Sequence, residues 1–233
     1  MRHESGRIAC RVIAITFLAF SAARAGMVET RSNPVPAGHI TVDGSFGDWA
    51  AVVPYTAGAA GDAREQDQDW VQVWIAHDNE MLYLQVQRAP GSASFSSGMV
   101  AGGSTGGVGY WIVLDTDRNR ATGLKAASGR TFSIGGEFNF GGTLALNGWS
   151  PGGTFTGARD YARVEAGTRL EIGVPLATLG NPAVLHCILV GETSGDYYPN
   201  GGASADWFEY VIREPGLIGE IPVRSTPVSN GVI

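Results

Sequence analysis

Residues 71–87, VQVWIAHDNEMLYLQVQ, contain two runs in which apolar and polar side chains alternate along the chain. A period of two is typical of a β-strand that buries one face, and two such runs separated by a short polar segment predict a β-hairpin. The segment between them, residues 77–80, predicts a four-residue loop. Folding about this loop places apolar side chains opposite one another on one face, in the pairs Val73–Leu84 and Ile75–Leu82.

The opposite face of this hairpin carries aromatic and amide side chains. The same register pairs Trp74 with Tyr83 and Gln72 with Gln85. A flat aromatic ring stacks on the C–H face of a sugar, and amides hydrogen-bond to hydroxyls, so these four residues are the candidate ligand-binding residues. The alternative interpretation is structural, because sandwich folds bury large aromatics and another segment of the chain can lie over this face.

Short segments of the same kind recur along the chain, separated by glycine-rich connections; the sequence contains 34 glycines. No segment shows a sustained helical period, so the pattern predicts an all-β fold. One turn of helix is expected at residues 175–180, where Gly180 ends it. Further strands are expected at residues 39–42, 109–114, 131–138, 143–147, 161–164, 169–174, 184–190 and 207–212.

The first 25 residues have the pattern of a secretory signal peptide. Three arginines precede the apolar run 12–23, and Ala23 and Ala25 place small residues before the cleavage point. A transmembrane anchor is the alternative, but it takes roughly 20 apolar residues. We therefore expect a secreted protein, periplasmic or extracellular, with no membrane span.

The exported chain is expected to form one domain over residues 38–213. Residues 26–37 contain two prolines and few apolar side chains, which predicts a flexible lead-in. Residues 214–233 contain three prolines and few large side chains, which predicts a C-terminal tail.

Charge and cysteine content exclude several classes of partner and cross-link. The leader carries four arginines and one glutamate, so the remaining chain has 12 basic and 21 acidic residues, a net charge of −9. An acidic protein repels phosphate backbones, so we expect no nucleic-acid partner. Cys187 is the single cysteine after the leader, so no disulfide forms within the mature chain.

Several segments occur in an order that resembles the family 9 carbohydrate-binding modules and the related DOMON-like β-sandwiches. The resemblance covers roughly residues 38–212 and implies an immunoglobulin-like or jelly-roll-type β-sandwich of two antiparallel sheets. The segments are ITVDG at 40–44 with GDW at 47–49, DNE at 78–80, LDTDRNRATG at 114–123, GGEF at 135–138, LEIGVPL at 170–176 and GDYYPNGG at 195–202.

The segment that follows residue 114 has the spacing of a calcium loop. Asp115, Asp117 and Asn119 place oxygen ligands at every second residue, and Ala121 offers its carbonyl oxygen. Glu137 supplies a further carboxylate from the next strand, much as an acidic residue follows this loop in the family that the sequence resembles. We expect calcium in a structural role. A solvated turn capped by aspartates is the alternative.

The function expected from these features is a secreted, non-catalytic module that binds a polysaccharide or a cell-surface glycan. The sequence contains no motif of a known nucleophile, zinc or phosphate site, so we expect no enzymatic activity. A structural or interaction domain of the cell envelope is the alternative. Some DOMON-like relatives bind haem through methionine with histidine or lysine, but no such pair has diagnostic spacing here.

Overall fold

The computed structural model describes residues 27–56, 58, 60–61, 69–92, 110–124, 135–141, 145–191, 197–199 and 207–213. The predicted leader at 1–25 and tail at 214–233 lie outside these ranges. Within them, no helix has the length and apolar character needed to cross a membrane.

The described residues form β-strands connected by turns and two short 3₁₀ segments, Phe46–Trp49 and Leu176–Leu179. The second segment ends at Gly180, which has a left-handed φ of 81°, as the sequence predicts. The strands are β1 Met27–Arg31, β2 Trp70–His77, β3 Met81–Arg88, β4 Tyr110–Asp115, β5 Phe138–Gly141, β6 Ala145–Trp149, β7 Phe155–Arg159, β8 Ala162–Ala166, β9 Arg169–Pro175, β10 Val184–Gly191, β11 Tyr197–Tyr198 and β12 Trp207–Val211.

The strands make two sheets, which confirms the predicted all-β fold. The larger sheet has the order β1-β12-β10-β4-β5-β6-β7, with β11 also pairing with β10, and the smaller sheet has the order β2-β3-β9-β8. Neighbouring strands are antiparallel except β1 and β12, which pair in parallel.

The main hydrophobic core lies between the two sheets. Along strands such as β2, β3, β4, β9 and β10, alternate side chains face this core, which is why the alternating runs of the sequence become strands here. Val73, Ile75 and Leu84 of the smaller sheet and Leu114 and Leu189 of the larger one are completely buried in this cluster. The lone thiol of Cys187 is also buried there, which raises its pKa and keeps it protonated.

The register of the β2–β3 hairpin differs by two residues from the predicted one. Val73 pairs with Val86, Ile75 with Leu84, and Trp74 with Gln85 instead of Tyr83. The loop is shorter than expected because the N–H of Asp78 donates to the carbonyl of Met81, and the Asp78 carboxylate accepts the N–H groups of Glu80 and Met81 at 2.8 Å. A shift of two residues leaves each side chain on its predicted face.

The predicted flexible lead-in over residues 26–37 is wrong. Residues 27–31 form β1 at the edge of the larger sheet, in parallel register with β12. The chain then crosses to the smaller sheet, where the N–H of Val35 donates to the carbonyl of His77 and the Asn33 side chain donates to the carbonyl of Ile75. The pairing of β1 with β12 satisfies backbone N–H and C=O groups of β1. The partner strand lies about 180 residues away, so the local composition of residues 26–37 does not indicate it.

Residues 38–55, which we call the cover, lie over the outer face of the smaller sheet, the face turned away from the main core. Ile40, Trp49 and Val52 are buried there against Ala76 and Tyr83. This second apolar cluster is separate from the core between the sheets, so the smaller sheet is covered on both faces. The sequence identified residues 39–42 as the start of structure, but residues 38–50 contain turns and the 3₁₀ segment rather than a strand.

The buried carboxylate of Glu171 on β9 fixes this cover to the sheet. One of its oxygens accepts the indole N–H of Trp49 at 2.7 Å, and the other accepts the N–H groups of Gly44 at 2.7 Å and Asp43 at 3.1 Å. Burial raises the pKa of Glu171, and the hydrogen bonds to Gly44, Trp49 and Asp43 oppose that rise.

We expect Glu171→Gln to destabilise the protein by about 1–3 kcal/mol, because an amide nitrogen cannot accept these N–H groups and leaves a buried donor unpaired. Urea unfolding followed by tryptophan fluorescence measures the change. Glu80→Gln, at an exposed loop position, is the control. An effect of Glu171→Gln no larger than that of the control contradicts the role of Glu171.

Candidate functional site

A pocket of about 250 Å³ opens on the outer face of the smaller sheet, at the margin of the cover. The base comes from three neighbouring strands, which contribute Trp74, Gln85 and Arg169. The wall comes from the cover, which contributes Phe46, Trp49, Ala50, Val52 and Pro54.

The strand register places the base residues side by side. Trp74 of β2 lies opposite Gln85 of β3, which lies opposite Glu171 of β9. Arg169 stands two residues from Glu171 on the same face of β9, so it borders the same row. An aromatic ring, an amide and a guanidinium group therefore meet in one concave site.

The four predicted ligand-binding residues do not all reach this pocket. Trp74 is half-buried and lines it, and Gln85 lines it from below with only 1% of its surface exposed. The amide nitrogen of Gln72 donates to the backbone carbonyl of Tyr55, which anchors the end of the cover to β2. Gln72 is therefore a structural residue.

Tyr83 is also structural, which corrects the predicted Trp74–Tyr83 platform. It is 5% exposed beneath the cover, and its hydroxyl donates to the Asp78 carboxylate at 3.0 Å. Burial and this hydrogen bond raise the pKa of Tyr83 to about 12. The ring cannot stack on a ligand, because cover residues such as Trp49 already pack in this cluster.

The pocket residues that sequence reasoning missed include Phe46 and Arg169. The Arg169 guanidinium carbon lies 4.9 Å from the Phe46 ring centroid and 5.9 Å from that of Trp74. Arg169 carries a detectable signal, since it begins the alternating run of β9 two residues before Glu171. Phe46 carries none, because it lies in a turn and reaches the sheet only through the path of the cover.

Three of the other tryptophans are too buried to offer a ring face to a ligand. Trp70 and Trp207 are fully buried and Trp49 is 3% exposed. Trp149 is half-buried; its indole N–H donates to Asn139 at 2.6 Å and its ring meets exposed Phe155 edge-on at 5.7 Å.

The acidic loop brings three of its predicted ligands together. Carboxylate oxygens of Asp115, Asp117 and Glu137 lie within 4.8 Å of one another. This span matches oxygens on opposite sides of one calcium ion, with Ca–O distances of about 2.4 Å. Glu137 reaches the loop because Gly123, with φ of 73°, packs against the backbone of Gly136, where a Cβ on Gly123 would lie 2.3 Å from the carbonyl oxygen.

The carboxylates of this cluster lack enough hydrogen-bond donors. Asp115 is fully buried, and neither of its oxygens has a hydrogen-bond partner among the described residues; the nearest ring nitrogen of His186 is 3.6 Å away. Burial raises the pKa of Glu137, and the charges of Asp115 and Asp117 raise it further, although the N–H of Thr116 partly offsets this. A buried, unpartnered carboxylate beside two others is an arrangement that a cation stabilises.

The predicted ligand Asn119 makes a hydrogen bond within the loop itself. The Asn119 side-chain oxygen accepts the N–H of Ala121 at 3.1 Å, so it supports the turn. Thr122, which sequence reasoning missed, places its hydroxyl 3.0–3.2 Å from both oxygens of Asp117 and 3.1 Å from Glu137. One hydroxyl proton cannot serve all of these acceptors, which adds to the excess of oxygen atoms.

No protein-family model matches the sequence, and no curated protein matches it. Among solved structures, the fold is similar to a protein of Bacteroides uniformis ATCC 8492 that is proposed to bind carbohydrate. The TM-score is 0.48 at 9% identity, covering 80% of this chain and 99% of that one.

A second similar structure is a family 9 carbohydrate-binding module from Caldicellulosiruptor kristjanssonii, in complex with glucose. The TM-score is 0.43 at 13% identity, covering 78% of this chain and 95% of that one. This is the family that the order of motifs in the sequence resembles. Similarity at these identities concerns the overall fold, and function has to follow from this chain's own residues.

We expect Tyr83→Phe to lower the free energy of unfolding by about 1–2 kcal/mol, because the Asp78 carboxylate loses a buried hydroxyl donor. Thermal and urea unfolding measure the change. Tyr161→Phe is the matched control, since the Tyr161 ring packs on Phe140 without a hydrogen bond from its hydroxyl to any described residue. Equal effects of the two substitutions contradict a structural role for the Tyr83 hydroxyl.

Proposed function

We propose that this protein is an exported, non-catalytic carbohydrate-binding module whose sandwich is stabilised by calcium. The pocket beside Trp74 is the binding site, and the acidic loop at Asp115 is the ion site. The two sites lie on different sheets, because Trp74 and Gln85 belong to the smaller sheet and Asp115 ends β4 of the larger one. Each half of the proposal can therefore be tested independently.

The observation that carries sugar binding is the side-chain chemistry of the pocket. Trp74 and Phe46 are half-buried, so each keeps part of a ring accessible for the C–H face of a sugar. The Gln85 side-chain oxygen is buried with no hydrogen-bond partner among the described residues, and a ligand hydroxyl can donate to it. The volume of about 250 Å³ suits a single sugar residue, since sites for larger ligands are roughly 300–1,000 Å³.

The acidic loop supports a structural ion. Asp115, Asp117 and Glu137 provide hard oxygen ligands, which calcium prefers, and the loop connects β4 to the next described strand, β5. When bound, calcium supplies positive charge and no reaction chemistry. The role of the chain is to hold Asp115 buried and to bring Glu137 against the loop through the Gly123–Gly136 contact.

Trp74→Ala is expected to weaken binding to the recognised glycan by about tenfold or more, because the sugar loses its stacking surface. A glycan array and polysaccharide pull-down identify the ligand, and isothermal titration then measures the affinity. Phe46→Ala is expected to weaken binding in the same direction. Phe155→Ala is the matched control, since Phe155 is an exposed aromatic on β7 of the other sheet, outside the pocket.

Two outcomes contradict the proposed sugar site. Binding that survives Trp74→Ala and Phe46→Ala places the ligand elsewhere on the molecule. The absence of binding to any glycan favours the alternative function, a structural or interaction domain of the cell envelope. Melting temperatures of the variants establish that each remains folded.

Removal of calcium is expected to lower the melting temperature. An ion present at about a hundred times its Kd adds about 2.7 kcal/mol, or roughly 5–10 °C for a domain of this size. Glu137→Gln is expected to stabilise the protein in chelator, because it relieves repulsion from Asp115 and Asp117, and to destabilise it in calcium, because it removes a charged ligand.

The opposite effects of Glu137→Gln on stability in chelator and in calcium distinguish an ion site from a solvated acidic turn. Scanning calorimetry in EGTA and in calcium measures both effects, and Asp160→Asn, at an exposed position between β7 and β8, is the control. A wild-type melting temperature that is equal in EGTA and calcium refutes the ion site and leaves the sugar site untouched.

A further inference from the structure

We propose that the pocket selects an anionic sugar residue, one that carries a carboxylate or a sulfate ester, and that Arg169 is the residue that recognises the anion. This inference rests on the proposed sugar-binding function and adds a ligand class to it. The glucose complex of the similar structure does not imply it, because glucose is uncharged.

Among the described residues that line the pocket, Arg169 carries the one ionisable side chain. Arg31 and Arg163 each pair with a glutamate on their own strand. The guanidinium group of Arg169 makes no ion pair or hydrogen bond with any residue in the described part of the chain. The guanidinium carbon lies over the aromatic rings of Phe46 and Trp74, and these contacts do not use its N–H donors.

The nearest acidic residue on this face of β9 does not neutralise Arg169. Glu171 stands two residues away, but its two carboxylate oxygens already accept three N–H groups from Trp49, Gly44 and Asp43. The carboxylate is turned toward the cover and is not part of the pocket lining. A positive group therefore remains in the pocket with its hydrogen-bonding capacity unused.

The other lining groups select for a sugar and not for a simple anion. Trp74 and Phe46 offer ring surface, and the buried side-chain oxygen of Gln85, which has no hydrogen-bond partner among the described residues, can accept a hydrogen bond from a hydroxyl. A carboxylate or sulfate has no proton to donate to Gln85 at neutral pH, whereas a sugar hydroxyl does. A ligand that satisfies both Gln85 and Arg169 must carry a hydroxyl and an anion on one compact ring.

The net charge of the protein distinguishes selection of an anionic sugar by Arg169 from general electrostatic attraction. The whole chain has a formal net charge of −6, so its long-range field repels anionic glycans. A preference for an anionic sugar must then come from contacts within the pocket. Two forked N–H bonds from a guanidinium group to a carboxylate or sulfate provide such a contact.

The experiment compares glycans that differ only in charge. Isothermal titration measures binding of an oligogalacturonate and its methyl ester, and of a sulfated galactan oligosaccharide and its unsulfated form. A glycan array that holds uronate, sulfated and neutral glycans covers other sugar backbones. We expect the wild type to bind at least one charged member about tenfold or more tightly than its neutral partner, and the favoured member identifies the anion.

Variants connect this preference to Arg169. We expect Arg169→Gln to reduce the ratio of the affinities for the charged and the neutral glycan to about one. Arg169→Lys is expected to give an intermediate ratio, because it keeps the positive charge but cannot form two parallel N–H hydrogen bonds to the anion. Arg163→Gln, on neighbouring strand β8 and outside the pocket, is expected to leave the ratio unchanged. Melting temperatures confirm that each variant is folded.

The outcomes distinguish this inference from the proposed function. If neutral glycans bind as well as or better than their charged partners, or if Arg169→Gln leaves the ratio unchanged, anion selection by Arg169 is overturned and sugar binding stands. If no glycan of any class binds, the proposed function is overturned and the inference falls with it.

Discussion

The pocket exists because one buried carboxylate holds a turn-rich segment over an otherwise bare sheet face. Glu171 accepts three N–H groups from the cover, including the indole of Trp49 at 2.7 Å. Without these bonds, residues 43–49 have no regular pairing to fix their path, and Phe46 and Trp49 lose their positions above the sheet. The same face of β9 supplies Arg169, so one strand both anchors the cover and lines the cleft that the cover leaves open.

Local alternation predicted most of the strands and the faces of the β2–β3 side chains, but it missed β7 and predicted a strand at residues 39–42, where the chain has no strand. It was not enough to predict register, because the turn at Asp78 is set by side-chain hydrogen bonds that make the loop shorter than the sequence predicts. β1 was missed for a different reason: its partner, β12, lies at the far end of the chain. Edge strands stabilised by distant partners carry little hydrophobic pattern of their own.

The same difference between local pattern and tertiary contact decides which residues of the candidate site could be predicted. Trp74 and Gln85 were found because both lie on the non-core face of one hairpin. Tyr83 was misassigned because alternation shows that a side chain faces away from the main core, and not whether another segment covers it. Asp115 and Asp117 were paired by their spacing within one loop, and Glu137 was added from the family that the sequence resembles. The three carboxylates do lie together, and the ion itself stays a prediction. Phe46 joins the pocket only through tertiary contacts, which no spacing rule records.

The parallel pairing of β1 with β12 has a consequence for the order of assembly. The first strand docks on the last, so the larger sheet has no complete edge until residue 211 has left the ribosome. Contacts this distant in sequence slow folding. The β1 edge of the larger sheet is therefore expected to form late in folding.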